Sequence, residues 1–134
     1  MGNRVPILNW RPMGLTYVDG IVHGRRRGTK RPVRFLVDSG AVYSVLRLAD
    51  WRPLRLVAQQ ELEFVLADGT PLRRQVGECM FELEGRRATS PVVLGEGQDE
   101  ALLGAVTLET LGLVLNPLTR RLQPMRMLLA RLSA

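Results

Sequence analysis

Apolar and polar residues alternate along much of this chain with the period of a strand rather than of a helix. Val33, Phe35 and Val37 share one parity and Arg34, Leu36 and Asp38 the other, so a strand from about Pro32 carries Asp38 to the opposite face from Val37. Leu62, Phe64 and Leu66 alternate with Glu61, Glu63 and Val65, and Cys79, Phe81 and Leu83 alternate with Glu78, Met80, Glu82 and Glu84. Further strands are predicted over 15–22, 41–46, 72–76, 88–94 and 113–115. Between them stand the turn signals: Gly24 and Gly28 around three arginines, Asp68-Gly69, Gly85-Arg86-Arg87 and Asn116-Pro117. Helical signals are sparse. Leu48 to Trp51 supports at most a short turn before Pro53, and Thr107 to Leu111 a short helix that Gly112 can end in the left-handed conformation. In the tail, Met125, Leu128, Leu129 and Leu132 have the spacing of one apolar helix face.

The pattern predicts an all-β domain over 15–124, an N-terminal arm over 1–14 and an amphipathic tail over 125–134. The arm carries two prolines and Trp10, and either frays or packs on a partner. At 134 residues the chain suits one domain with an ordinary core.

Composition changes the picture little. The chain carries a net charge of +6, from 18 arginines and one lysine against 13 carboxylates. The arginine runs at 25–27, 73–74, 86–87 and 120–121 lie near predicted turns without interleaved aromatics, so they read as solvated hairpin ends and no nucleic-acid partner is expected. Cys79 has no second cysteine for a disulfide or zinc cluster and reads as a small core residue. His23, the one histidine, reads as a surface residue, and the acidic stretch 95–100 as a solvated loop; neither a metal nor another cofactor is expected. No run reaches the length of a membrane helix and the amino terminus lacks a signal-peptide core, so the expectation is a cytoplasmic protein without membrane insertion.

Two stretches carry the candidate chemistry. In Phe35-Leu36-Val37-Asp38-Ser39-Gly40-Ala41 a strand runs into a tight turn that leaves one carboxylate beside a hydroxyl. Taken alone, Asp-Ser-Gly is ordinary turn chemistry. The second stretch, Leu102-Leu103-Gly104, follows Asp38 at a distance, and Gly40-Ala41-Val42 is echoed by Gly104-Ala105-Val106.

This pairing of an apolar-apolar-Asp-Ser-Gly-Ala stretch with a later apolar-apolar-Gly resembles the retropepsin-like aspartic proteases, and the likeness spans about 15–124. The resemblance implies a retropepsin-like closed β-barrel, an acid-protease half with a flap hairpin and one short helix near the C-terminus. It implies Asp38 as the catalytic residue, supported by Ser39, Gly40 and Ala41, with Leu102, Leu103 and Gly104 packed beneath the active site. The flap tip falls at Ala67-Asp68-Gly69-Thr70. Because the chain holds a single Asp-Ser-Gly and no Asp-Thr-Gly, the second aspartate must come from another copy, which implies a homodimer acting on an extended peptide or protein substrate. Two such carboxylates brought together share a proton, so one acts as base and the other as acid. The expected function is therefore an aspartic endopeptidase. The alternative is a non-proteolytic retropepsin-fold protein-binding or dimerisation module. Its motivation is that Val42-Tyr43 and Ala105 stand where retroviral members carry an acidic residue and an arginine that brace the subunit, and that the flap tip lacks a glycine cluster.

Overall fold

The computed structural model describes residues 15–126; the arm predicted over 1–14 and the tail spacing from Leu128 to Leu132 lie outside them. Strands β1 (Tyr17–His23) and β2 (Lys30–Val37) form an antiparallel hairpin with Tyr17 opposite Leu36 and His23 opposite Lys30. Then follow β3 (Ser44–Leu46), α1 (Leu48–Trp51), β4 (Gln60–Val65), β5 (Pro71–Leu83), β6 (Arg86–Leu94), β7 (Leu102–Leu103), α2 (Ala105–Leu111), β8 (Leu113–Asn116) and β9 (Arg121–Pro124).

The strands of the main sheet lie in the order β1-β2-β7-β3-β6-β5-β4, and β1 also pairs with β5. The sheet therefore returns on itself as a ring, with β4 attached to β5 on the outer side. Inside the ring sit Val22, Phe35, Leu46, Phe81, Val92 and Leu103, all without solvent exposure. Burying each such side chain contributes about 1.5–3 kcal/mol. Phe35 of β2 and Phe81 of β5 meet with ring centroids 5.8 Å apart. Of the all-β expectation the coarser part is met: the described residues are mostly strand, with short helices.

Several local expectations are corrected by tertiary contacts. The strands read separately over 72–76 and 79–84 are one strand, β5, which pairs with β4 by its first half and with β6 and β1 by its second. Gly77 lies in its middle: a Cβ there would lie 2.6 Å from the Val57 carbonyl oxygen, so the glycine admits a crossing backbone. The strand predicted over 41–46 is confined to Ser44–Leu46, because the carbonyls of Ala41 and Val42 accept hydrogen bonds from the N–H groups of Ala105 and Val106 at 2.8 and 3.0 Å. The last core strand, read over 113–115, leaves the main sheet and pairs with β9 in a two-stranded sheet of its own, while Leu113 and Leu122 still reach the core. Leu36 is buried along with its neighbours Phe35 and Val37, since β2 runs between β1 and β7.

Helix α2 begins two residues before its predicted start and ends as expected. Gly112 has φ +72° and its N–H donates to the Glu109 carbonyl at 3.0 Å. Arg86 adds a cap, donating from Nη1 to the carbonyls of Leu111 and Gly112 at 2.9 and 3.1 Å. Half-buried Arg86 is thus not a solvated hairpin end. Among the described residues no helix is long and apolar enough to cross a membrane.

Candidate active site

Strand β2 ends at Val37, and the next residue, Asp38, is half-buried at the head of a tight turn. The turn is closed by hydrogen bonds from the chain itself. The Gly40 N–H donates to Asp38 Oδ1 at 3.0 Å and the Ala41 N–H to the Asp38 carbonyl at 3.0 Å. The Asp38 N–H donates to the Leu103 carbonyl at 3.0 Å. One carboxylate oxygen is thereby oriented by a backbone donor, and the backbone beneath it is tied to the second motif.

That second motif runs alongside the first. Leu102 and Leu103 pair in parallel with Leu36 and Val37, and Leu102 also lies opposite Val45. A Cβ on Gly104 would lie 2.6 and 2.7 Å from the Tyr43 carbonyl carbon and oxygen, so only glycine permits this close passage. The echoed tripeptides meet here, through the Ala105-to-Ala41 and Val106-to-Val42 hydrogen bonds.

Below the turn lies a buried hydroxyl cluster that sequence reasoning missed. Thr107 Oγ1 is 2.5 Å from Ser44 Oγ and 2.8 Å from Ser90 Oγ, and Ser44 Oγ accepts the Gly104 N–H at 2.9 Å. The three side chains belong to α2, β3 and β6, so the cluster locks the layers under the candidate site. Three hydroxyl residues set in apolar runs were the available signal, since such groups are buried only with partners.

A cleft of about 500 Å³ opens beside the turn. Gly40, Ala41, Val42 and Tyr43 form one wall, and Glu63, Phe64, Val65, Leu66 and Ala67 of the β4–β5 hairpin the other. Phe64 meets Tyr43 edge-on across it, with centroids 6.0 Å apart. Leu102 contributes to the wall; Asp38 itself does not, although Gly40 does. Of the predicted flap tip, Ala67 reaches the cleft while Asp68, Gly69 and Thr70 stand exposed beyond it. Their turn is well formed: Gly69 has φ +89°, the Thr70 N–H donates to Asp68 Oδ1 at 2.9 Å, and the Leu66 N–H to the Thr70 carbonyl at 2.8 Å. The bond from Thr70 holds the Asp68 carboxyl below its ordinary value. Ser39, also exposed, follows Asp38 in the same turn.

The hairpin base is anchored by an ion pair. Arg74 donates from Nε to Asp99 Oδ2 at 2.6 Å and from Nη2 to Oδ1 at 3.1 Å, and Asp99 Oδ2 also accepts the Glu96 N–H at 2.8 Å. Hydrogen bonding to Asp99 raises the Arg74 guanidinium above its ordinary value. The reading of 95–100 as a solvated loop is corrected at Asp99, and that of the arginine runs at Arg74. Among the described residues no group of three or more His, Cys, Asp or Glu side chains could hold a metal ion.

The class these observations define is a mostly-β domain with a braced, carboxylate-bearing turn beside a hairpin-walled cleft. No protein-family model matches the chain, and neither does any curated protein.

Proposed function

We propose that the chain is an aspartic endopeptidase of retropepsin-like architecture that works as a homodimer, each subunit supplying one Asp38. The observation that carries this reading is the turn at Asp38: one carboxylate oxygen held by the Gly40 N–H, the backbone tied to Leu103, and an apolar cleft alongside under a hairpin. With two copies face to face, the pair of carboxyl groups shares one proton. The ionised Asp38 removes a proton from a water as the water oxygen bonds to the peptide carbonyl carbon, and the protonated Asp38 of the second subunit gives its proton to the carbonyl oxygen. Collapse of the tetrahedral diol breaks the C–N bond, the amine leaving with a proton from one carboxyl while the other recovers one from the diol. An extended peptide fits a cleft walled by a β-hairpin, with apolar side chains against Val42, Tyr43, Phe64 and Leu102.

Peptide-library cleavage by wild type and Asp38→Asn, over a range of protein concentrations, tests this. The expected result is cleavage that requires Asp38 and rises faster than linearly with protein. Cleavage that survives Asp38→Asn overturns it. The non-proteolytic binding module is the second reading, supported by the absence of Asp38 from the cleft wall and by β4, which among the described residues pairs with β5 alone. Its mark is a dimer that binds peptides without hydrolysing them.

A further inference from the structure

The turn joining β1 to β2 carries Arg25, Arg26 and Arg27, all exposed, and it does not project freely into solvent. Its backbone rests on the turn that follows α1: the Arg25 N–H donates to the Leu54 carbonyl at 3.3 Å, and a Cβ on Gly24 would lie 2.8 Å from the same oxygen. The supporting turn holds two more exposed arginines, Arg52 and Arg55, closed by the Arg55 N–H to the Arg52 carbonyl at 2.9 Å. The first turn is equally fixed, with the Gly24 N–H on the Thr29 carbonyl at 2.8 Å and Thr29 Oγ1 on the Arg26 carbonyl at 2.6 Å. Two sequence-distant turns thus bring five arginines to one end of the molecule.

The nearby carboxylates offset only part of this charge: exposed Glu78 follows Gly77, where β5 passes Val57, and the others are already taken. Asp50 is buried and taken by Arg31 and Arg47, with contacts of 3.3 and 2.9 Å. Glu82 is taken by His23 at 2.9 Å and Arg87 at 3.5 Å. Among the described residues, Arg25, Arg26, Arg27, Arg52 and Arg55 have no ion-pair partner. Five like charges on rigid supports repel one another unless an anion lies between them.

We infer that this end of the molecule is a docking surface for the phosphate backbone of double-stranded nucleic acid, bound without regard to sequence. Guanidinium groups fork onto phosphate oxygens, and a duplex offers closely spaced phosphates to several of them at once. The two turns offer no large exposed apolar or aromatic side chain, which a membrane interface or base stacking on single strands would use. The surface lies at the start of β2 and Asp38 just past its end, roughly 26 Å apart for eight residues at the usual strand rise. Nucleic acid held there leaves the cleft open. The inference stands independently of any peptidase activity.

Fluorescence anisotropy of the full chain with a labelled random-sequence duplex, across a potassium chloride series, tests it. The log–log slope of affinity against salt is expected between about −3 and −4.5, as for three to five phosphates neutralised. Replacing Arg25, Arg26 and Arg27 together with Gln should reduce the slope by about two to three units, Arg52→Gln with Arg55→Gln by about one to two, and Lys at the three turn positions should restore it. Circular dichroism confirms that each variant is folded. Arg120→Gln with Arg121→Gln should leave binding unchanged. No binding at low salt, equal loss in the Arg120 and Arg121 variant, or tighter binding to phosphatidylserine vesicles than to the duplex would overturn the inference.

Discussion

Thr107 shows how much one side chain can decide. Its hydroxyl is fully buried and is shared by Ser44 and Ser90, which come from different strands. Thr107→Val keeps the shape and removes a shared partner, leaving Ser44 Oγ with the Gly104 N–H and Ser90 Oγ with the Pro91 carbonyl, so a loss of about 1–3 kcal/mol is expected in urea unfolding. A loss within measurement error would mean that the Gly104 and Pro91 bonds suffice for the two serines. Cys79 is the opposite case, a group made inert by its surroundings. Burial, with some help from Glu78, pushes its thiol up to about 12. Iodoacetamide at pH 8 should therefore label Cys79 only after the protein is unfolded. Native labelling at the rate of a free thiol would contradict its place in the core. The alternation around Cys79 was legible in the sequence; the sharing of Thr107 was not, because its partners are distant in the chain.

At the scale of the element, the β4–β5 hairpin was read correctly at its tip and wrongly at its base. Asp68-Gly69 is a local signal, and the turn it predicts is present. Because the Thr70 bond lowers the Asp68 carboxyl below its ordinary 3.8, the contribution of that bond is full above that value and is lost as pH falls through the lowered one. The tip should therefore keep its turn in mild acid and loosen only below about pH 4. The Thr70 amide resonance, followed by NMR against pH, should titrate with a midpoint under 3.8. A midpoint at or above that value would show that the side chain does not hold the turn. The base depends instead on Gly77 and Arg74, whose partners Val57 and Asp99 lie about 20 residues or more away. A glycine inside a strand and a run of arginines look locally like a break and a solvated end.

For the molecule as a whole, the question is how the hairpin, the acidic loop and the Asp38 turn are held as one unit. Arg74 and Asp99 are both largely buried, with side chains 15% and 12% exposed, and they tie β5 to the loop entering the second motif. A double-mutant cycle with Arg74→Gln and Asp99→Asn should give a coupling energy of about 1–3 kcal/mol by chemical denaturation. A coupling near zero would show that the two residues act separately. Backbone hydrogen bonds from the Ala105 N–H to the Ala41 carbonyl and from the Val106 N–H to the Val42 carbonyl join the segment after the Asp38 turn to the start of α2.

By itself the sequence determined the strand periods, the Asp38 and Asp68 turns, the Gly112 helix end and the likeness between the two motifs. The periods, turns and helix end each depend on residues a few positions apart, where parity and glycine conformation act directly, and the likeness is a match of two short local patterns. Only the tertiary structure decided that β5 is continuous, that β8 leaves the main sheet for β9, that three buried hydroxyls meet, that Arg74 turns inward to Asp99, and that two arginine-bearing turns adjoin. These depend on which distant segments pack together, and a buried hydroxyl or charge looks the same in a local pattern as an exposed one until its partner arrives.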